Sequence, residues 1–210
     1  MKQGNLIEIM SKALLTEEAK IGVTMRNLRE KKLLTTGARG VNAPDMTYLD
    51  AARTLLAHIV EGNPGRRAPQ HVRQFGALPW ANPALADEPE PFSFGQLLPT
   101  VNTETFENAL AALIQVFAEQ SGNSSFKEAG RAMRDGTFQK PICLVEIFEE
   151  EQLAHVHLSG MIYQYSAPPM RAIDWTPEQD ERFRLGRQNI AFVNQEVIAA
   201  IADGFRSAAT

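Results

Sequence analysis

Near the start of the chain, apolar residues recur at helical spacing. Leu6, Ile7, Met10, Ala13 and Leu14 fall on one stripe, which predicts an amphipathic helix with Asn5 as a candidate cap. Ile21, Met25, Leu28 and the stem of Lys32 follow at spacings of four, three and four. They predict a second helix packed on the first. Thr16 is its candidate N-cap, and Glu17 and Glu18 put negative charge in its first turn, where the helix dipole favours it. Gly22 sits inside this pattern at a cost of about 1 kcal/mol against Ala. Two parses follow: one helix running through Gly22, or a turn at Ile21–Val23 with Thr24 capping a shorter helix. Thr47 and Asp50 read as a capping box with Asp in place of Glu. Leu49, Ala52, Leu56 and Ile59 then mark a third helix to about Val60.

Periodicity stops at Glu61–Pro69, a Gly- and Pro-rich stretch read as a linker or exposed loop. Ala77 to Pro99 is rich in Pro and connects the two halves. Phe106, Leu110, Leu113, Ile114 and Phe117 predict a strong helix capped by Asn102 or Thr103. A short helix is expected near Phe126–Arg134, then a turn at Asp135-Gly136. Ile142–Phe148 reads as a buried strand and Ala154–Tyr165 as its partner, with Glu149-Glu150-Glu151 at the turn between them. Thr176 and Pro177 mark a possible helix start. Asn189–Val193 reads as a third strand. Asn194 then caps a last helix with Val197, Ile198, Ile201 and Phe205 on its apolar side.

The polar side of the second helix changes the picture. Lys20, Thr24, Asn27 and Lys31 also recur at four, three and four, with Arg26 and Arg29 on the opposite flank. Asn pairs two hydrogen bonds with adenine, Arg pairs with guanine, and Lys or Thr reaches phosphates or base edges. That is the residue mix of a major-groove helix, although a solvated helix face has the same composition. Thr35-Thr36-Gly37-Ala38-Arg39-Gly40 follows as a flexible loop. Its Arg39 suits a phosphate backbone or a minor groove, or sits on a plain surface turn. The expected DNA contacts are therefore Lys20, Thr24, Arg26, Asn27, Lys31, Lys32 and Arg39. Arg66, Arg67, His71 and Arg73 are further candidates for phosphate contact.

The run Thr16-Glu17-Glu18, then Met25 to Gly37 (MRNLREKKLLTTG), resembles the recognition helix and the start of the wing in bacterial winged-helix regulators. In that family a capped helix ends in Leu-Arg-Glu-x-Gly-Leu-[Leu/Ile]; here Lys32 stands at the glycine. Continued through Thr36–Gly40, Ala43-Pro44, Met46-Thr47 and Asp50–Ala52, the string is similar to small regulators of bacteriophages and prophages. The resemblance covers the N-terminal quarter to third of the chain and implies sequence-specific binding of double-stranded DNA. The expected fold is α+β. A helix-turn-helix, winged-helix-like domain at 1–62 precedes a Pro-rich linker at 63–100. A dimerisation or regulatory domain at 101–210 then pairs a small antiparallel sheet with covering helices. A homodimer on palindromic sites is the expected assembly. A DNA-recognition or interaction subunit of a phage packaging assembly is the alternative.

Net charge is −4, but its distribution is uneven. Residues 1–73 carry 12 Lys/Arg against 7 Asp/Glu, and residues 74–210 carry 9 against 18. A basic front and an acidic back attract a polyanion to one end only. No stretch approaches the ~18 consecutive apolar residues of a membrane span, so no membrane partner is expected. Cys143 is the single cysteine, so no internal disulfide forms, and a cytoplasmic location fits.

His155 and His157 share one face of a strand, a spacing compatible with metal binding, and Glu149, Glu150 and Glu151 are close in sequence. The residues themselves identify no third ligand in register, and alternation explains the pair as the polar face of a half-buried strand. No metal, cofactor or catalytic residue is expected; a metal-dependent enzyme is the least favoured reading. Cys143, amid Ile142, Leu144 and Val145, reads as core rather than nucleophile. No P-loop, dinucleotide glycine pattern or serine-nucleophile elbow is present.

Overall fold

The first two apolar stripes do form helices packed on each other: α1 spans Gln3–Leu14 and α2 spans Glu18–Glu30. The structure, a computed structural model, describes residues 1–37, 43–61, 64–81, 103–120, 143–149, 152–158, 161–167 and 190–208. Leu6 and Met10 of α1 and Ile21, Met25 and Leu28 of α2 are fully buried. Helix α2 runs unbroken through Gly22, which selects the first of the two parses. The cap assignments shift by a few residues. Helix α1 begins after Lys2, not Asn5. Helix α2 begins after Glu17, and the Thr16 hydroxyl donates to the Leu14 carbonyl instead of capping.

Helix α3, Tyr48–Val60, opens with the expected capping box: Thr47 Oγ1 accepts from Asp50 N, and the Asp50 carboxylate accepts from Thr47 N. Asp50 also accepts from Thr35 N at 2.7 Å, so one buried carboxylate joins the segment after α2 to the start of α3. Arg53 makes a second tie. It donates to the Leu33 carbonyl at 2.8 Å and forms a paired contact with Glu107, at 2.7 and 2.9 Å.

Residues 64–81, which sequence assigns to a linker, are folded. A 3-10 turn at Gly65–Arg67 leads into a short helix α4, Ala68–His71, which continues as a wider helical turn over Val72–Gly76. Ala68, Val72, Phe75 and Leu78 are buried. Strand β1, Trp80–Ala81, follows. Helix α5 spans Phe106–Gln120. Backbone bonds from Trp80 N to Glu104 O and from Phe106 N to Leu78 O strap its start to this segment.

Among the described residues the sheet has five antiparallel strands in the order β1-β4-β3-β2-β5. Here β2 is Cys143–Phe148, β3 Leu153–Leu158, β4 Met161–Ser166 and β5 Ile190–Asn194. The stretch Ala154–Tyr165, expected as one strand, is thus two antiparallel neighbours. Asn194 caps the last helix, α6, Gln195–Ser207, accepting from Glu196 N and Val197 N. Cys143, Val145, Ile147, Ala154, Val156, Tyr165 and Val193 are buried on the inner face, where Phe106 of α5 packs on Tyr165 with ring centroids 5.6 Å apart. The fold is α+β. Its buried side chains form one cluster from α1 to α6, with α6 packed on both α1 and α5. The expected helices near Phe126–Arg134 and after Thr176 lie outside the described residues, as do Arg39, Glu150 and Glu151. Among the described residues, 33–37 and 43–47 form no strand.

Candidate functional site

Helix α2 does not present its polar stripe whole. Thr24 is fully buried, and this corrects its expected contact with DNA. Thr24 borders the buried Ile21, Met25 and Leu28 on the helix, and the folded segment 64–71 also packs on α2. Asn27 lies on the same seam, half-buried, and its Nδ2 donates to the Gly65 carbonyl at 2.7 Å. The amide expected to read a base instead pins the Gly65–Arg67 turn. Lys20 is exposed and paired with Glu17 at 3.0 Å. Arg26, Lys31 and Lys32 are exposed.

Lys32 adopts the left-handed backbone, with φ of 60°. Lys32 N bonds to Arg29 O and Leu33 N to Leu28 O, the two bonds of a Schellman helix end. A lysine, not a glycine, thus holds the left-handed position at this helix end. The turn ends α2, and Lys31, which caps the helix end, lies beside the 64–76 segment.

The two elements enclose a shallow groove of about 470 Å³ lined by Lys31, Arg66, Pro69, Gln70, Arg73 and Gln74. Lys31 comes from the end of α2 and Arg66 from the turn that Asn27 pins. Gln70, Arg73 and Gln74 come from one side of the helical run, at the three- and four-residue spacing of neighbours on a helix. Among the described residues, none of the three cations forms an ion pair. Arg67 is directed to Glu61 instead, at 3.8 Å. Sequence reasoning names Arg66 and Arg73 but passes over Gln70 and Gln74, because their spacing carries meaning only once the segment is helical.

A second cluster stands on the outer face of the sheet. Register pairs Glu146 with His155 and Leu144 with His157, so both imidazoles and the carboxylate share a face. His157 Nε2 is 2.6 Å from Glu146 Oε2, and His155 Nδ1 is 3.8 Å from the same oxygen. Burial, with a smaller push from His157, holds His155 below the usual histidine pKa, so its ring favours the neutral form. Gln164 hydrogen-bonds to it from β4, and Phe148 meets it edge-on with centroids 5.0 Å apart. Cys143 faces the core, where burial pushes its thiol up to about 12, as its apolar neighbours in sequence suggest.

No family model, curated protein or solved structure matches this chain.

Proposed function

We propose that the protein is a DNA-binding regulator that docks its basic N-terminal surface on a double helix. The observation that carries this reading is the groove between α2 and the 64–76 segment. There Lys31, Arg66 and Arg73 stand together without carboxylate partners among the described residues. Three cations around one concave surface suit a phosphate backbone. Gln70 and Gln74 bring side-chain amides to the same place, with the donor and acceptor geometry that matches adenine. Arg26 and Lys32 extend positive charge along and beyond α2. The acidic excess of residues 74–210 opposes nonspecific coating of nucleic acid and leaves one end attractive.

This interface differs from the one the helical stripe alone predicts. Thr24 is removed from it, and Asn27 becomes a positioning residue. Selection from a random duplex library, followed by gel shifts of the enriched sites, tests the reading. The expected outcome is an enriched site. Gln70→Ala or Gln74→Ala then relaxes discrimination at one base pair by about 1–3 kcal/mol, whereas Lys31→Ala weakens every duplex about equally. A wild-type protein that retains no duplex at low salt defeats the proposal.

A further inference from the structure

The outer face of the sheet poses a separate question, independent of the groove. Three side chains with metal-ligating atoms converge there: Glu146 from β2 and His155 and His157 from β3. One ligand atom from each lies within 4.8 Å of the other two. Both imidazoles face a single carboxylate oxygen, and their ring centroids are 5.9 Å apart in an edge-on arrangement. A half-buried polar face requires only that such residues reach water. It does not require two rings and a carboxylate to aim at one point.

We propose that Glu146, His155 and His157 form a mononuclear site for a divalent first-row transition metal, with Zn²⁺ the best fit. Two imidazoles and one carboxylate select such ions over Mg²⁺ and Ca²⁺, which take oxygen ligands. Tetrahedral bonds of about 2.0–2.2 Å place donor atoms ~3.3 Å apart. The present spacings bracket that value: 2.6 Å between His157 Nε2 and Glu146 Oε2 and 3.8 Å between His155 Nδ1 and the same oxygen. The third pair, His155 and His157, lies within 4.8 Å, and an ion at the centre would open the His157–Glu146 contact and close the other gaps. The strands are fixed by continuous register on both sides, β2 with β5 and β3 with β4. The hydrogen bond between the His155 ring and Gln164 orients a ligand ring, as outer-shell partners do at metal centres.

Three protein donors leave a tetrahedral ion one open position, for water or a small ligand. Beyond Gln164, apolar side chains border the cluster. Phe192 stands opposite Glu146 in β5 and is 68% exposed, and Ile162 stands opposite His157 in β4. An apolar rim around an open metal position suits a small molecule with one donor group and a hydrophobic body.

The test uses the purified full-length chain, stripped with chelator and then titrated with Zn²⁺ or Co²⁺. The expected result is one ion per chain, with visible Co²⁺ bands of a low-coordinate N/O site. Of the four histidines, only His155 and His157 should show shifted ring resonances in NMR spectra. His157→Ala and Glu146→Gln should each weaken binding by more than the roughly 10–100-fold that loss of an outer-shell partner costs. The ring resonances need no variant, so the test stands even where a substitution harms folding. Absence of stoichiometric binding, a shift at His58 or His71 instead, or undiminished affinity in the folded variants overturns the assignment.

Discussion

Replacing Asp50 by Ala should lower the unfolding free energy by about 3 kcal/mol, because two backbone N–H groups lose their acceptor together at ~1–3 kcal/mol each. Asp50 is 2% exposed. Its Oδ1 accepts from Thr35 N at 2.7 Å, and its Oδ2 accepts from Thr47 N at 2.7 Å and Thr47 Oγ1 at 2.9 Å. Ala supplies none of these acceptors, and buried surroundings leave little water to replace them. Asn keeps the shape but turns one oxygen into a donor facing a donor, so Asp50→Asn should recover only part of the loss. Urea unfolding followed by circular dichroism measures both. A loss below about 1 kcal/mol for Asp50→Ala would show that the network is not held as described. The effect reaches the proposed interface. Thr35 lies just beyond the turn of Lys31 and Lys32, so freeing it loosens one wall of the groove.

Gly204→Ala should destabilise the protein by about 1–2 kcal/mol, against the direction that helix propensity predicts, while Gly22→Ala should stabilise it by up to ~1 kcal/mol. Both glycines lie inside helices, α6 and α2. A Cβ at Gly22 meets only Ile7 Cδ1, at 3.9 Å, an ordinary contact that leaves the propensity gain intact. A Cβ at Gly204 comes within 2.9 Å of three side-chain carbons of Ile9. Both γ carbons are among them, so turning the tip of Ile9 does not clear the overlap, and α1 and α6 must separate. The crossed pair isolates the cause: in an Ile9→Ala background, Gly204→Ala should become neutral or stabilising. Thermal and urea unfolding of the four proteins read this directly, and equal penalties in both backgrounds would assign the cost elsewhere. Because α1 belongs to the front of the chain and α6 to its end, this contact also shows how the two halves share one core.

What was legible in sequence follows from the range of the forces involved. Helices α1, α2, α3 and α5 declare themselves through apolar periodicity. The Thr47–Asp50 box and the Asn194 cap are local hydrogen-bond patterns of a few residues. The 64–76 segment declares nothing: Gly65, Pro64 and Pro69 interrupt every period, and its helical turns persist because Ala68, Val72 and Phe75 are buried against α2, α3 and α5. Segment 64–71 packs on α2 and takes the Asn27 amide, an arrangement the apolar pattern does not reveal. The third member of the histidine cluster is hidden in sequence for a related reason. Glu149, Glu150 and Glu151 stood nearer in sequence, but the hairpin register, centred between 150 and 151, brings Glu146 opposite His155. Only the exact position of the turn singles out Glu146, and apolar alternation alone does not fix it.

The most direct test of the account is the salt dependence of duplex binding, measured by fluorescence anisotropy for the wild type and for Lys31→Ala/Arg66→Ala/Arg73→Ala. Each neutralised phosphate contributes about 0.9 to the slope of log affinity against log salt, so three lost contacts should flatten it by about 2.7. Circular dichroism of the variant confirms that the fold is intact. A flattened slope with weakened binding at low salt is the predicted result. An unchanged slope and affinity in the folded variant would show that the groove between α2 and the 64–76 segment does not meet DNA.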